Sequence, residues 1–218
     1  MFKITVMKKY SLLAVALLLS IGSFAQLSKA DILNGDKEIT WLGIDFTQLK
    51  FIGPATQWKD AGEITNVQMR DKYFPGWNSL FINEQKKYDV ASAVNRMQVK
   101  FATDVTEKAN NGMKGDVFSE DPNEYKHLDE GKIASLVSKY DYQGKKGIGM
   151  MFFMESMSKG KEEGALWVTF VDMNAKKVLL TQRVTEEAGG FGFKNFWAKT
   201  FAGALKDTQK GLKKWVKG

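Results

Sequence analysis

The sequence predicts a mixed α/β domain: one central mixed sheet with helices packed on it, ending in a strand–turn–strand–long helix unit. Three observations carry this expectation. Ile148 to Glu155 is almost wholly apolar, as in a strand covered on both faces. Short strand-like and helix-like stretches alternate along the chain. The C-terminal stretch from about Phe193 to Val216 has apolar residues at helical spacing on one face only.

The elements follow in order. Residues 26–38 are polar, carry Asn34-Gly35-Asp36 and read as a linker. Trp41, Leu42, Ile44 and Phe46 mark a strand within 39–46, and a second extended piece, Leu49 to Ile52, stops at Gly53-Pro54. Ile64, Val67 and Met69 suggest a short helix. Pro75 suits the first turn of another, through Tyr88, with Trp77, Leu80, Phe81 and Tyr88 at helical spacing. Met97, Val99 and Phe101 alternate with Gln98 and Lys100, so 96–102 reads as a strand with one buried face. Ala109 to Pro122 reads as the longest irregular stretch. Asp129 opens a helix whose Ile133, Leu136, Val137 and Tyr140 form one stripe. Strands are expected at Ile148–Glu155, Ala165–Met173 and Val178–Val184, the last two joined by the Asn174-Ala175-Lys176 turn.

The chain has 218 residues, no Cys, one His and a formal net charge of +7. Zero Cys excludes disulfides, thiolate metal sites, a Cys nucleophile and a lipidated cysteine. A single His excludes multi-His metal sites and leaves His127, in a polar stretch, as a surface histidine. No cofactor is expected.

Residues 1–25 read as a signal peptide. Lys3, Lys8 and Lys9 form a basic head, an apolar run of about 11 residues follows, and Ser23-Phe24-Ala25 fits the small-x-small cleavage rule before Gln26. The run is too short for the ~20 residues of a membrane span, so no transmembrane segment is expected after cleavage. Domain organisation is therefore 1–25 signal peptide, 26–38 linker and 39–218 a single α/β domain. Export places the chain in the periplasm or outside the cell, without a lipid anchor.

The leader accounts for +3 of the charge, and the tail 206–218, with five Lys against Asp207, for +4. Residues 26–205 balance to zero, which argues against a nucleic-acid partner spread over a broad basic face. On a helical wheel, Lys206, Lys210, Lys213 and Lys217 fall within about 40° of Lys199. Trp197, Phe201, Ala204, Leu205, Thr208, Leu212 and Trp215 lie opposite. The apolar face should dock on the sheet. The lysine stripe is either a solvated face or a contact for an envelope protein or an anionic cell-wall polymer.

Other motifs have a bland reading and a sharper one. Gly189, Gly190 and Gly192 join a strand to the last helix; such a loop can bind an anion or simply supply positive φ. No Walker or dinucleotide spacing accompanies it. Met150, Met151, Met154 and Met157 could hold copper(I), but sit in a core strand where Met is common filler. Asp45, Asp172 and Glu155 end apolar strands. Paired carboxylates there could do acid–base work; single ones cap turns. No catalytic residue is assigned.

Four stretches carry a resemblance: Gly147 to Phe153, Ala165 to Asp172, Lys177 to Leu180 and Gly189 to Trp197. Together they resemble small exported proteins of unknown function from Gram-negative bacteria. The C-terminal half, about 147–215, is similar to the small α/β envelope domains of the TolB amino-terminal type, the curli-secretion lipoprotein and the lipoprotein activators of penicillin-binding proteins. That resemblance implies non-catalytic work through protein contacts in the envelope. The expected function is thus a secreted or periplasmic binding protein. The alternative is a ligand-binding or hydrolytic domain using the strand-end carboxylates Asp45 and Asp172 with the Gly189–Gly192 loop.

Overall fold

The computed structural model describes residues 26–53 and 62–218; the expected signal peptide lies outside the described residues. Strand β1 (Ile39–Asp45) and strand β2 (Lys50–Ile52) come first. Helix α1 (Asn66–Gln68) runs through a π turn at Met69–Tyr73 into α2 (Phe74–Asn78), and α3 (Leu80–Asn83) and α4 (Val90–Ala93) follow. Then come β3 (Lys100–Phe101), α5 (Asp104–Asn111), β4 (Phe118–Ser119) and α6 (Glu130–Lys139). The chain closes with β5 (Ile148–Ser158), β6 (Glu163–Asp172), β7 (Lys177–Glu187) and α7 (Phe193–Lys217). The fold is mixed α/β.

Strand β5 is the axis of the sheet. On one edge it pairs in parallel with β1 along Ile148–Phe153 and then with β2 along Ser156–Ser158. On the other edge it pairs antiparallel with β6, which pairs antiparallel with β7. Outside β1 lies β3 and outside β2 lies β4, both parallel. Burial on both faces explains why β5 lacks a polar alternation.

Alternate side chains feed two cores. One face carries Trp41, Ile44, Met150, Phe152, Leu166 and Phe170, covered by α7 and the helical stretch between β2 and β3. The other carries Leu42, Met151, Phe153, Trp167 and Val171, covered by Val105 of α5, Ile133 and Val137 of α6, and Tyr140 and Tyr142 beyond it. The chain leaves β1 over the first face to reach β3, then crosses the second face to reach β5 on the opposite side of β1. Strand β1 is therefore where the winding reverses.

Helix α7 docks as its wheel requires: Trp197, Phe201, Ala204, Leu205, Thr208 and Leu212 are buried, with Trp215 at the margin. Asp129 accepts a hydrogen bond from the Lys132 N–H and so caps α6. Gly190 and Gly192 take φ of +120° and +81°, the positive φ that turns β7 into α7.

Five local readings are corrected. Residues 26–38 are not a free linker: Lys29–Leu33 is a 3-10 turn with Ile32 buried, and the Arg96 guanidinium donates to the Ile32, Asn34 and Lys37 carbonyls. The helix read from Pro75 to Tyr88 is two short pieces divided at Ser79, and it ends at Asn83 because Glu84 leaves helical geometry. Only Lys100–Phe101 of 96–102 is strand, and Met97 and Phe101 are exposed, because β3 is an edge strand that runs out after two residues. The stretch read as irregular overlaps the end of α5. Strand β5 continues past Glu155 to Ser158 through a bulge at Glu155.

Beyond Trp41, strand β1 has no outer neighbour among the described residues, and side chains replace one. Asn78 of α2 accepts from the Ile44 N–H and donates to the Ile44 carbonyl, at 2.7 and 3.1 Å. Asn110 of α5 accepts from the Phe46 N–H at 2.8 Å and donates to the Ile44 carbonyl at 2.9 Å. Thr106 donates to the Leu42 carbonyl at 2.7 Å. All three side chains are buried. The approach is so close that a Cβ on Gly43, whose φ is +98°, would overlap Thr106 and Asn78.

Trp197 sits at the centre of the larger core, edge-on to Phe51 and Phe196. Trp197→Ala should cost about 3–5 kcal/mol in denaturant unfolding. A loss below about half a kcal/mol would mean that α7 docks by another face.

Candidate functional site

The sheet leaves a crevice where β1 ends. It is about 590 Å³ and lies between α5, the loop Gly112–Gly115 and the C-terminal part of α6. Val105, Ala109, Met113, Leu136 and Tyr140 give apolar walls; Lys108, Lys114 and Lys139 stand with Asp141 toward solvent; Asp45 and Thr47 form the base. Open α/β sheets bind ligands in this position, outside the carboxyl end of a strand at which the winding reverses.

Asp45 is the polar centre of the crevice and is buried. One carboxyl oxygen accepts from the Thr47 N–H at 2.7 Å and the other from the Tyr140 hydroxyl at 2.8 Å. Burial pushes its pKa above the ordinary carboxylate value, against the downward pull of those two hydrogen bonds. Burial and the Asp45 carboxyl together push the Tyr140 phenol up, so Tyr140 acts as a hydroxyl donor. Lys108 and Asp141 pair at the mouth at 2.7 Å.

The other sequence-singled residues do not join this site. Asp172 lies opposite Ile148, at the start of β5, whereas Asp45 lies opposite Phe153. Asp172 instead accepts from the Asn174 and Ala175 N–H groups and caps the β6–β7 turn. Gly189, Gly190 and Gly192 border α7 on the other face of the sheet, so Asp45, Asp172 and the glycine loop do not converge. Met150, Met154 and Met157 fill one core and Met151 the other.

Glu155 is not a free strand-end acid. It is buried and accepts from the His127 and Leu128 N–H groups at 2.8 and 2.7 Å and from Arg183 Nε at 2.6 Å. Arg183 also stands 5.6 Å from the Tyr125 ring centroid. His127 is half-buried, not a freely solvated histidine: its ring nitrogens meet the Glu124 and Gln48 carbonyl oxygens at 2.7 and 3.0 Å. These groups fasten the 124–128 segment to the sheet and have little capacity left for a ligand.

Three of the five stripe lysines meet elsewhere. Lys199, Lys206 and Lys210 line a second groove, between β7 and α7, together with Lys86, Lys87, Glu186, Glu187 and Asp207. Lys213 lies in a separate hollow beside Asn95 and Arg96, and Lys217 is exposed at the helix end. Sequence reasoning singled out Asp45 but missed Tyr140 as its partner and α5 as a wall of the crevice. The signal for Tyr140 was its place at the end of the α6 stripe, where it was read as core.

No family model, curated protein or solved structure matches the chain. Among the described residues, no helix is long and apolar enough to cross a membrane.

The raised Asp45 carboxyl sets a direction for the pH dependence of stability. The folded chain holds that proton to higher pH than the unfolded chain, so this group favours the fold most below about pH 3.8 and less as pH climbs through the folded value. Asp45→Asn should therefore remove the fall in Tm that this group contributes as pH climbs above about 3.8, and so raise Tm at the high-pH end of the profile. A profile parallel to wild type would show that Asp45 does not titrate as its burial requires.

Proposed function

We propose that this chain is an exported, non-catalytic binding protein of the cell envelope, and that it takes a small amphipathic ligand in the crevice over Asp45. The observation that carries the reading is the crevice itself: apolar walls, one buried hydrogen-bonding acid at the base and lysines at the mouth, all at the carboxyl end of the strand where the winding reverses. Its size falls within the ~300–1,000 Å³ of small-molecule sites.

The lining argues for the ligand class. An apolar body would lie against Val105, Ala109, Met113 and Leu136. A hydroxyl or amide could share the Asp45–Tyr140 hydrogen bond. An anionic group would reach Lys114 or Lys139 at the mouth. Binding is favoured over hydrolysis because Asp45 is held by Thr47 and Tyr140, with Asp172 at the far end of the sheet. Export rests on the three-part leader. The envelope setting rests on that leader and on the resemblance of 147–215 to TolB-type amino-terminal domains.

A direct test uses anilinonaphthalene sulfonate, which joins an apolar ring system to one anionic group. It should bind the wild type saturably at one site. Leu136→Trp, which fills the crevice from its rim, should weaken that binding about tenfold or more at unchanged Tm. Equal binding by the variant, or no saturable site, would refute the assignment.

A further inference from the structure

The groove between β7 and α7 is separate from the Asp45 crevice, lies on the opposite face of the sheet and has a chemistry of its own. It measures about 910 Å³. Lys86, Lys87, Lys199, Lys206 and Lys210 line it together with Glu186 and Asp207. Lys199 is paired with Glu187 at 3.4 Å.

Two features separate this arrangement from a solvated basic face. The Glu186 carboxyl lies against Gly203 so closely that any Cβ there would overlap it, so the helix is notched to admit an acid. Its Oε1 is buried and has no hydrogen-bond partner among the described residues. A buried acceptor left open in a groove is expected to find a donor from water or a ligand. Burial first, and then the nearby Asp207 carboxyl, raise the Glu186 pKa to about 7 against the opposing pull of Lys210.

We propose that this groove binds an acidic saccharide, with the lysines taking its carboxylate or sulfate groups and the Glu186–Asp207 pair taking its hydroxyls, and that protonation of Glu186 strengthens binding. The mixed chemistry selects this class. Carboxyl groups accept from sugar hydroxyls but repel closely spaced phosphates, which counts against a nucleic acid. Phe191, 90% exposed between Gly190 and Gly192, stands next in the chain to the groove's glycine wall. It offers an apolar face to the C–H side of a pyranose ring.

The sign of the pH effect follows from the charges around Glu186. Asp207 and Lys210 face it from α7, Glu187 adjoins it on β7, and Lys86, Lys87, Lys199 and Lys206 complete the groove. Below about pH 7 the Glu186 carboxyl is neutral, the lysines dominate and an anion is held. Above it, Glu186 carries a negative charge that competes for Lys206 and Lys210 and repels the ligand.

The experiment measures anisotropy of a fluorescein-labelled oligogalacturonate at low salt, at about pH 6 and about pH 8. A neutral cello-oligosaccharide and a single-stranded DNA of matched charge serve as comparators. Wild type should bind the uronate at the lower pH, about tenfold more tightly than at the higher one, and more tightly than either comparator. Lys206→Gln with Lys210→Gln should reduce that affinity by about tenfold. Glu186→Gln should bind at both pH values as wild type does at the lower. Thermal melting of each variant confirms its fold, and anilinonaphthalene sulfonate binding at the Asp45 crevice should be unchanged in all of them. Absence of uronate binding, equal binding of DNA, indifference to the lysine changes, or a pH dependence that survives Glu186→Gln would each overturn the proposal.

Discussion

The structure depends on how the outer edge of β1 is completed. Strand β3 covers only Thr40 and Trp41, which would leave the N–H and carbonyl groups of the next residues buried and unpaired. Each such group costs about 1–3 kcal/mol if left alone. Asn78, Thr106 and Asn110 supply the missing partners, and they do so from helices on opposite faces of the sheet. The same contacts therefore close the ladder and clamp both helical layers to β1.

This substitution has a spatial consequence. A side-chain amide occupies far less room than a strand, so the region beyond the end of β1 stays open. Asp45 and Thr47 emerge there, with Val105 and Ala109 of α5 as one wall and Tyr140 as the other. Asn110 and Thr106 face the strand from α5 while Val105 and Ala109 face the crevice. The wall is thus placed by the hydrogen bonds that satisfy β1. The second groove arises differently, from Gly203 in α7, which lets an acidic side chain of the edge strand lie against the helix. Buried Glu155 and half-buried Arg183 form an ion pair on the remaining part of the sheet. Such a pair specifies how a segment docks more than it stabilises the whole.

Much of this architecture was legible in the sequence where one physical signal dominated. The unbroken apolar run of β5, the hairpin turn before Lys177 and the two faces of α7 each rest on burial periodicity. Asp129 announced α6 through cap chemistry. The failures fall where polar residues are buried or apolar ones are not. Helix α5, Asp104–Asn111, carries Thr and Asn on its inward face, so its pattern hides a helix whose buried side is polar. Met97 and Phe101 alternate like a half-buried strand but lie at a sheet edge in solvent. Asp45 and Asp172 looked alike at strand ends; only the antiparallel direction of β6 separates them. The lysines of α7 were readable as a stripe. Their company, Lys86, Lys87 and the Glu186–Asp207 pair, comes from distant segments that no local pattern joins.

Amide hydrogen exchange at Ile44 and Phe46 tests the central claim most directly. These two N–H groups have no strand partner; their acceptors are the side-chain oxygens of Asn78 and Asn110 at 2.7 and 2.8 Å. Both should exchange as slowly as the amides of Met150 and Phe152 in β5, through the global unfolding of the domain. In Asn110→Ala, Phe46 should lose far more protection than the accompanying loss of global stability explains, while Ile44 follows the global value. Rapid exchange of Ile44 and Phe46 in the wild type, or equal protection of Phe46 in the variant, would contradict the account.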